Sequence, residues 1–221
     1  LNIWNEITEN PALPVRSSLP LIPSFALAFT RTAASILPKG FFIASQKKKE
    51  NIAEYLLYMW QIEDIIRAYG LDIDQIQKHI IDSYDLPEEQ KKSMRDWYES
   101  LIDMMHSEGV EKKGHLQLNK NVLIDLTDLH LRLLKSTREP FYGAAFFKTL
   151  PYIVELRAKS GEGKTGELET CFNALYGVLL LRLQKKEIQS DTLKAIQQIS
   201  TFLSILAEKY KQEKAGELEL E

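Results

Sequence analysis

Residues 45–70, SQKKKENIAEYLLYMWQIEDIIRAYG, decide how the chain is read. Ile52, Tyr55, Leu56, Met59, Ile62, Ile66 and Tyr69 recur at i, i+3 and i+4, a spacing that gathers side chains on one face of an α-helix and scatters them over both faces of a strand. Ser45 can cap the start of this helix. Gly70 suits its end, because glycine adopts the left-handed conformation of a helix stop without a steric penalty.

Working outward, the same period holds to the C-terminus. Asp72 or Asp74 starts a short helix through Ile76, Ile80 and Ile81. Asp85-Leu86-Pro87-Glu88-Glu89 then reads as a cap, a first-turn proline and an acidic first turn. The helix that follows carries Met94, Trp97, Tyr98, Leu101, Ile102 and Met105 and stops near Gly109, and Glu111 to Gly114 form a polar connection. A fourth helix, Leu118 to Lys135, places Val122, Leu126, Leu129 and Leu133 on one stripe opposite Asp125, Asp128 and Arg132. Pro140 opens a fifth through Phe141, Phe146, Phe147 and Leu150, which Pro151 should kink or divide. From Glu167 to Lys186 the pattern is apolar around most of the circumference, so this sixth helix is expected at the centre. Ser190-Asp191 caps the last, through Leu193, Ile196, Ile199, Leu203 and Leu206, ahead of an acidic tail expected to fray. The resulting expectation is an all-α, single-domain bundle of six to seven helices.

Upstream the pattern stops. Five of the eight prolines, Pro11, Pro14, Pro20, Pro23 and Pro38, lie in the first forty residues, a density that no continuous helix tolerates. Residues 1–41 therefore read as an unstructured leader. Within it, Leu19 to Phe29 resembles a secretion signal only faintly, since two prolines interrupt it and Glu6 and Glu9 precede it. The whole chain, 221 residues at 44% hydrophobic, is enough for one sizeable core. A net charge of −3 offers no basic excess for a phosphate backbone or an anionic membrane, so no nucleic acid and no membrane is expected. With Cys171 alone, no intrachain disulfide can form, and a reducing, cytoplasmic setting fits.

Three stretches carry a resemblance. Residues Phe42 to Tyr55, residues Asn121 to His130 and residues Glu169 to Tyr176 together are similar to a bacterial family known as domain of unknown function 4924. The resemblance spans Phe42 to Glu221 and implies a single helical domain. Members of that family begin at a methionine where this chain has Phe41, which implies that residues 1–41 are foreign to it. No activity, and no catalytic residue, comes with the resemblance.

Chemistry-bearing patterns are few. Gly161-Glu162-Gly163-Lys164-Thr165 imitates a phosphate-binding loop, but Ala158 stands where that motif needs its first glycine, and a helix precedes it where a strand is required. Asp103 and His106 share a helix face as half of a di-metal site would; no second such pair occurs, and His79, His106, His115 and His130 lie in four separate places, so no metal or other cofactor is expected. Glu63 and His130 both fall on inward faces of their helices and are the candidate buried polar pair, with Asn119 and Arg182 as further candidates to line a pocket. Trp60 lies off the main apolar stripe of its helix, and with Leu57 it forms a candidate interaction surface. The preferred function is a non-catalytic protein-interaction or scaffold domain, self-associating or binding a protein partner. The alternative is a small-molecule-binding protein or enzyme with a polar pocket around Glu63 and His130.

Overall fold

A computed structural model of the chain describes residues 40–160 and 165–220. Among these residues every regular element is helical: α1 (Gly40–Glu50), α2 (Ile52–Ala68), α3 (Ile73–His79), a 3₁₀ turn (Ile81–Ser83), α4 (Glu88–Glu108), α5 (Gln117–Lys135), α6 (Pro140–Ser160), α7 (Glu167–Leu183) and α8 (Ser190–Ala215). The protein is an all-α single domain. Of the leader expected over residues 1–41, only Gly40 and Phe41 belong to the described residues, as the start of α1. The secretion-like stretch and residues 161–164 of the glycine-rich loop lie outside them.

The start of α2 departs from expectation. Ser45 lies inside α1, and the break comes six residues later at Asn51, whose backbone is extended (φ −152°, ψ 101°). Its side-chain oxygen accepts from the amides of Ala53 (3.1 Å) and Glu54 (3.2 Å), so Asn51 ends one helix and caps the next. At the other end Gly70 is left-handed, and the amides of Gly70 and Leu71 bond back to Arg67 and Ile66, which closes α2 in a Schellman turn. Asp72 caps α3 through the amides of Asp74 and Gln75. Pro87, and not Asp85, occupies the cap position of α4. Pro151 does not divide α6, which runs unbroken to Ser160. Pro151 has no amide hydrogen to donate to the Phe147 carbonyl, and both residues are exposed.

The centre is shared. α7 buries eleven of its residues, from Leu168 to Leu183, against α5, α6 and α8, and α2 buries twelve against α1, α4, α5 and α8. Helix α8 touches α2, α5, α6 and α7 and joins the two halves. The acidic tail expected to fray is docked as far as Leu220. Ser136 Oγ donates to the Leu220 carbonyl (2.8 Å), Arg138 pairs with Glu219 (3.0 Å), and Leu218 and Leu220 are half-buried on the core.

Candidate functional site

The last turns of α2 carry Glu63, Asp64 and Arg67, and the loop between α4 and α5 folds over them. Glu63 is fully buried, yet every one of its carboxylate oxygens is occupied. Oε1 accepts from the amide of Leu116 (2.9 Å) and from Asn119 Nδ2 (2.6 Å), while Oε2 lies 2.6 Å from His115 Nδ1. A carboxylate only accepts, so Nδ1 carries the hydrogen of this contact. His115 remains 32% exposed and stacks on the Trp60 ring at 4.2 Å.

Beside it, Asp64 accepts from Arg67 Nη1 (2.9 Å) and from the Tyr176 hydroxyl (2.6 Å). Burial raises the pKa of Asp64, against the opposing pull of Arg67 and the Tyr176 hydrogen bond. Burial, reinforced by the Asp64 charge, also raises the pKa of Tyr176. Arg67 Nη2 donates to the carbonyls of Val110 (3.1 Å) and Gly114. Glu63 therefore holds the end of the loop and the start of α5, and Arg67 holds its middle. Chemically, the assembly fixes the orientation of a part-exposed imidazole. Structurally, it ties the α4–α5 loop to α2.

His130 sits elsewhere. It is 1% exposed, its Nδ1 lies 2.6 Å from the Tyr142 hydroxyl, and the rings of Tyr142, Phe146 and Phe202 surround it at 4.8–5.9 Å. Glu167 Oε2 stands 3.6 Å from Nε2. Burial lowers the pKa of His130, and the Glu167 charge opposes the shift without cancelling it. Nearby, burial raises the pKa of the Cys171 thiol, so Cys171 is a buried hydrophobe and not a nucleophile. The expected Glu63–His130 pair is thus two separate clusters. Both residues do point inward, but the α5 residue that reaches Glu63 is Asn119, and His130 is eleven positions, or roughly 16 Å of helix, further along. Arg182, the other residue weighed for a pocket, is exposed on α7.

The expected surface at Leu57 and Trp60 is also overturned. Trp60 is 3% exposed, enclosed by His115, Phe172 and Tyr176, and Leu57 is half-buried on the core. The side of α2 that looked outward on a helical wheel is covered by α7 and the α4–α5 loop, contacts between residues more than fifty positions apart. Among the described residues the exposed phenylalanines lie on α6, where Phe141 is 88% and Phe147 66% exposed. On the described part of that helix the exposed residues are Pro140, Phe141, Ala144, Phe147, Lys148, Pro151, Val154 and Ala158. Its inner side, Tyr142, Phe146, Thr149, Ile153 and Leu156, is buried.

Two further features complete the surface. Asp103 and His106 are both exposed on α4, and His106 Nδ1 lies 3.5 Å from Glu111. Between α1 and α8 a cleft of about 490 Å³ is lined by Ile52, Ala207, Tyr210 and Ala215 together with Lys48, Lys49, Lys211, Lys214 and one acid, Glu50.

The sequence reading passed over His115, Asp64, Arg67 and Tyr176. Arg67 could have been noticed, since Asp64 and Arg67 are three apart on one helix. For His115, set in a polar connection, no local signal exists.

The fold places the molecule among all-α helical bundles. Residues 41–217 match the family described as Domain of unknown function (DUF4924), and the chain belongs to that family. No curated protein and no solved structure matches it.

Proposed function

We propose that this protein is a non-catalytic interaction or scaffold protein of the bacterial cytoplasm that binds another polypeptide through the outer face of α6. One observation carries the reading: of the eight exposed residues described on α6, Lys148 alone is charged. An outward helix face of a water-soluble domain is ordinarily polar, and a contiguous apolar one is the usual mark of a recognition surface. Among the described residues no helix is long and apolar enough to cross a membrane. The Glu63 carboxylate has both oxygens occupied by internal donors, which suits a supporting frame.

The test is site-specific photocrosslinking in native cells. A benzophenone amino acid at Phe147 is expected to give a discrete protein adduct, and the same probe at exposed Ser107 on α4 none. Equal labelling at the two positions, or none at Phe147, overturns the proposal.

A ligand-binding reading is favoured by the cleft between α1 and α8, whose apolar lining and four lysines against one glutamate suit an amphipathic anion. A dose-dependent thermal shift with a medium-chain carboxylate, abolished in Lys211→Glu/Lys214→Glu, supports it. The absence of a shift in the parent protein removes it.

A further inference from the structure

The apolar face of α6 has an internal order that identifies its partner. Ala144, Phe147, Pro151, Val154 and Ala158 are all exposed, and their spacings are three, four, three and four. That repeat averages 3.5 residues and forms a single seam for one other helix. The seam alternates large and small, with Phe147 and Val154 as knobs and Ala144, Pro151 and Ala158 leaving room between them. Along one flank stand Lys148 and Glu155, seven residues apart and therefore at the same position of the repeat. The other flank holds Gly143, Leu150 and Arg157.

We infer that α6 pairs with α6 of a second copy of this chain in an antiparallel, two-fold arrangement centred between Tyr152 and Ile153. The inference rests on the proposed role of this face and names its occupant. In this register Phe147 meets Ala158 of the other copy and Val154 meets Pro151, so each large side chain lies against a small one. Lys148 then faces Glu155 across the axis, and symmetry supplies the pair twice. The neighbouring antiparallel register, one heptad away, sets Lys148 against its own symmetry mate and is disfavoured by like charge. A parallel pairing sets Phe147 against Phe147 and brings Lys148 beside Gly143 and Leu150, with no carboxylate to meet. Side-chain size selects antiparallel over parallel pairing, and charge complementarity selects this register among the antiparallel ones. The seam from Ala144 to Ala158 is about 21 Å long, less than most stable interfaces use, so association belongs in the micromolar range.

The test is sedimentation equilibrium on the full chain from about 1 µM to about 500 µM, a span that brackets micromolar association. A monomer–dimer equilibrium is expected. Phe147→Lys should raise the dissociation constant by roughly 100-fold or more, as loss of a central apolar anchor does, with the far-UV spectrum and melting temperature unchanged. Lys148→Glu or Glu155→Lys alone should raise it by about tenfold, because each places like charges together at two symmetric points. The double variant Lys148→Glu/Glu155→Lys should restore parental affinity, an outcome only cross-axis pairing of these two residues produces. A parent protein that stays monomeric throughout, or a double variant no tighter than its singles, overturns the inference. If the parent is monomeric while the Phe147 photoprobe still captures a protein of another mass, the interaction role survives and self-pairing alone falls; if the probe captures nothing, both fall.

Discussion

The Glu63 cluster and the outer face of α6 break the same rule in opposite directions. One puts a carboxylate where the chain is dry, and the other puts phenylalanines where it is wet. They differ in what surrounds them. Glu63 has three donors within 2.9 Å, all from the α4–α5 loop and the start of α5, so its burial is compensated inside the molecule. Phe141 and Phe147 have no such compensation, since most of their surface meets solvent. A buried polar group with every oxygen occupied is explained by the fold that holds it. An exposed apolar face is explained only by something that covers it.

The contrast is sharpest under mutation. Glu63→Ala removes an acceptor from three buried or half-buried donors at once and should cost ~3 kcal/mol in urea denaturation, the scale of breaking a buried charged network. A loss under about 1 kcal/mol would mean the cluster is not architectural and would reopen His115 as a chemical group. Arg67→Met leaves the carbonyls of Val110 and Gly114 without their donor and Asp64 without its cation, for a loss of about 2 kcal/mol. Amide exchange should then quicken first in residues 109–116, before the flanking helices.

A third prediction concerns the other buried polar group. Burial holds the pKa of His130 in the folded protein below its unfolded value of about 6.5. The unfolded chain therefore takes up this proton first as the pH falls. The His130 contribution to stability is level above pH ~6.5 and is lost progressively below it. His130→Leu should flatten the decline in urea midpoint between about pH 7 and about pH 5, and comparison with the parent separates this share from that of Asp64, whose raised pKa acts with the opposite sign. Equal slopes in the two proteins would contradict the assignment. The smallest effect belongs to the open face: Phe147→Lys should change stability by no more than about 0.5 kcal/mol, as is usual for exposed positions. A marked loss there would show that α6 supports its own fold and would weaken the contrast between the two regions.

Local chemistry made much of this molecule readable. The i, i+3, i+4 spacing found α2 and the helices after it, and Asp72, Gly109 and Pro140 marked their ends because capping and stopping depend on residues within one turn. The break at Asn51 was missed because Lys47 to Glu50 have no apolar pattern to interrupt, so Ser45 looked an equally good start. Glu63 and His130 were both read as inward-facing. What a helical wheel lacks is height along the axis, and height assigned Glu63 to Asn119 and His130 to Tyr142.

Trp60 and Phe147 mark the limit of such reading. Trp60 lay off its stripe and Phe147 among neighbouring aromatics, yet the first is enclosed and the second exposed. Which side of a mostly apolar helix faces water depends on elements distant in sequence, here α7 and the α4–α5 loop over α2 and α8 under α6.

The sequence by itself determined that the chain folds as helices, where most of them begin and end, and that Glu63 and His130 turn inward, because each depends on residues within a turn or two. The tertiary structure alone decided which of those groups meet and which apolar face is left without a cover. Those outcomes are set by packing between segments dozens of residues apart, and the periodicity of any single helix carries no record of its neighbours.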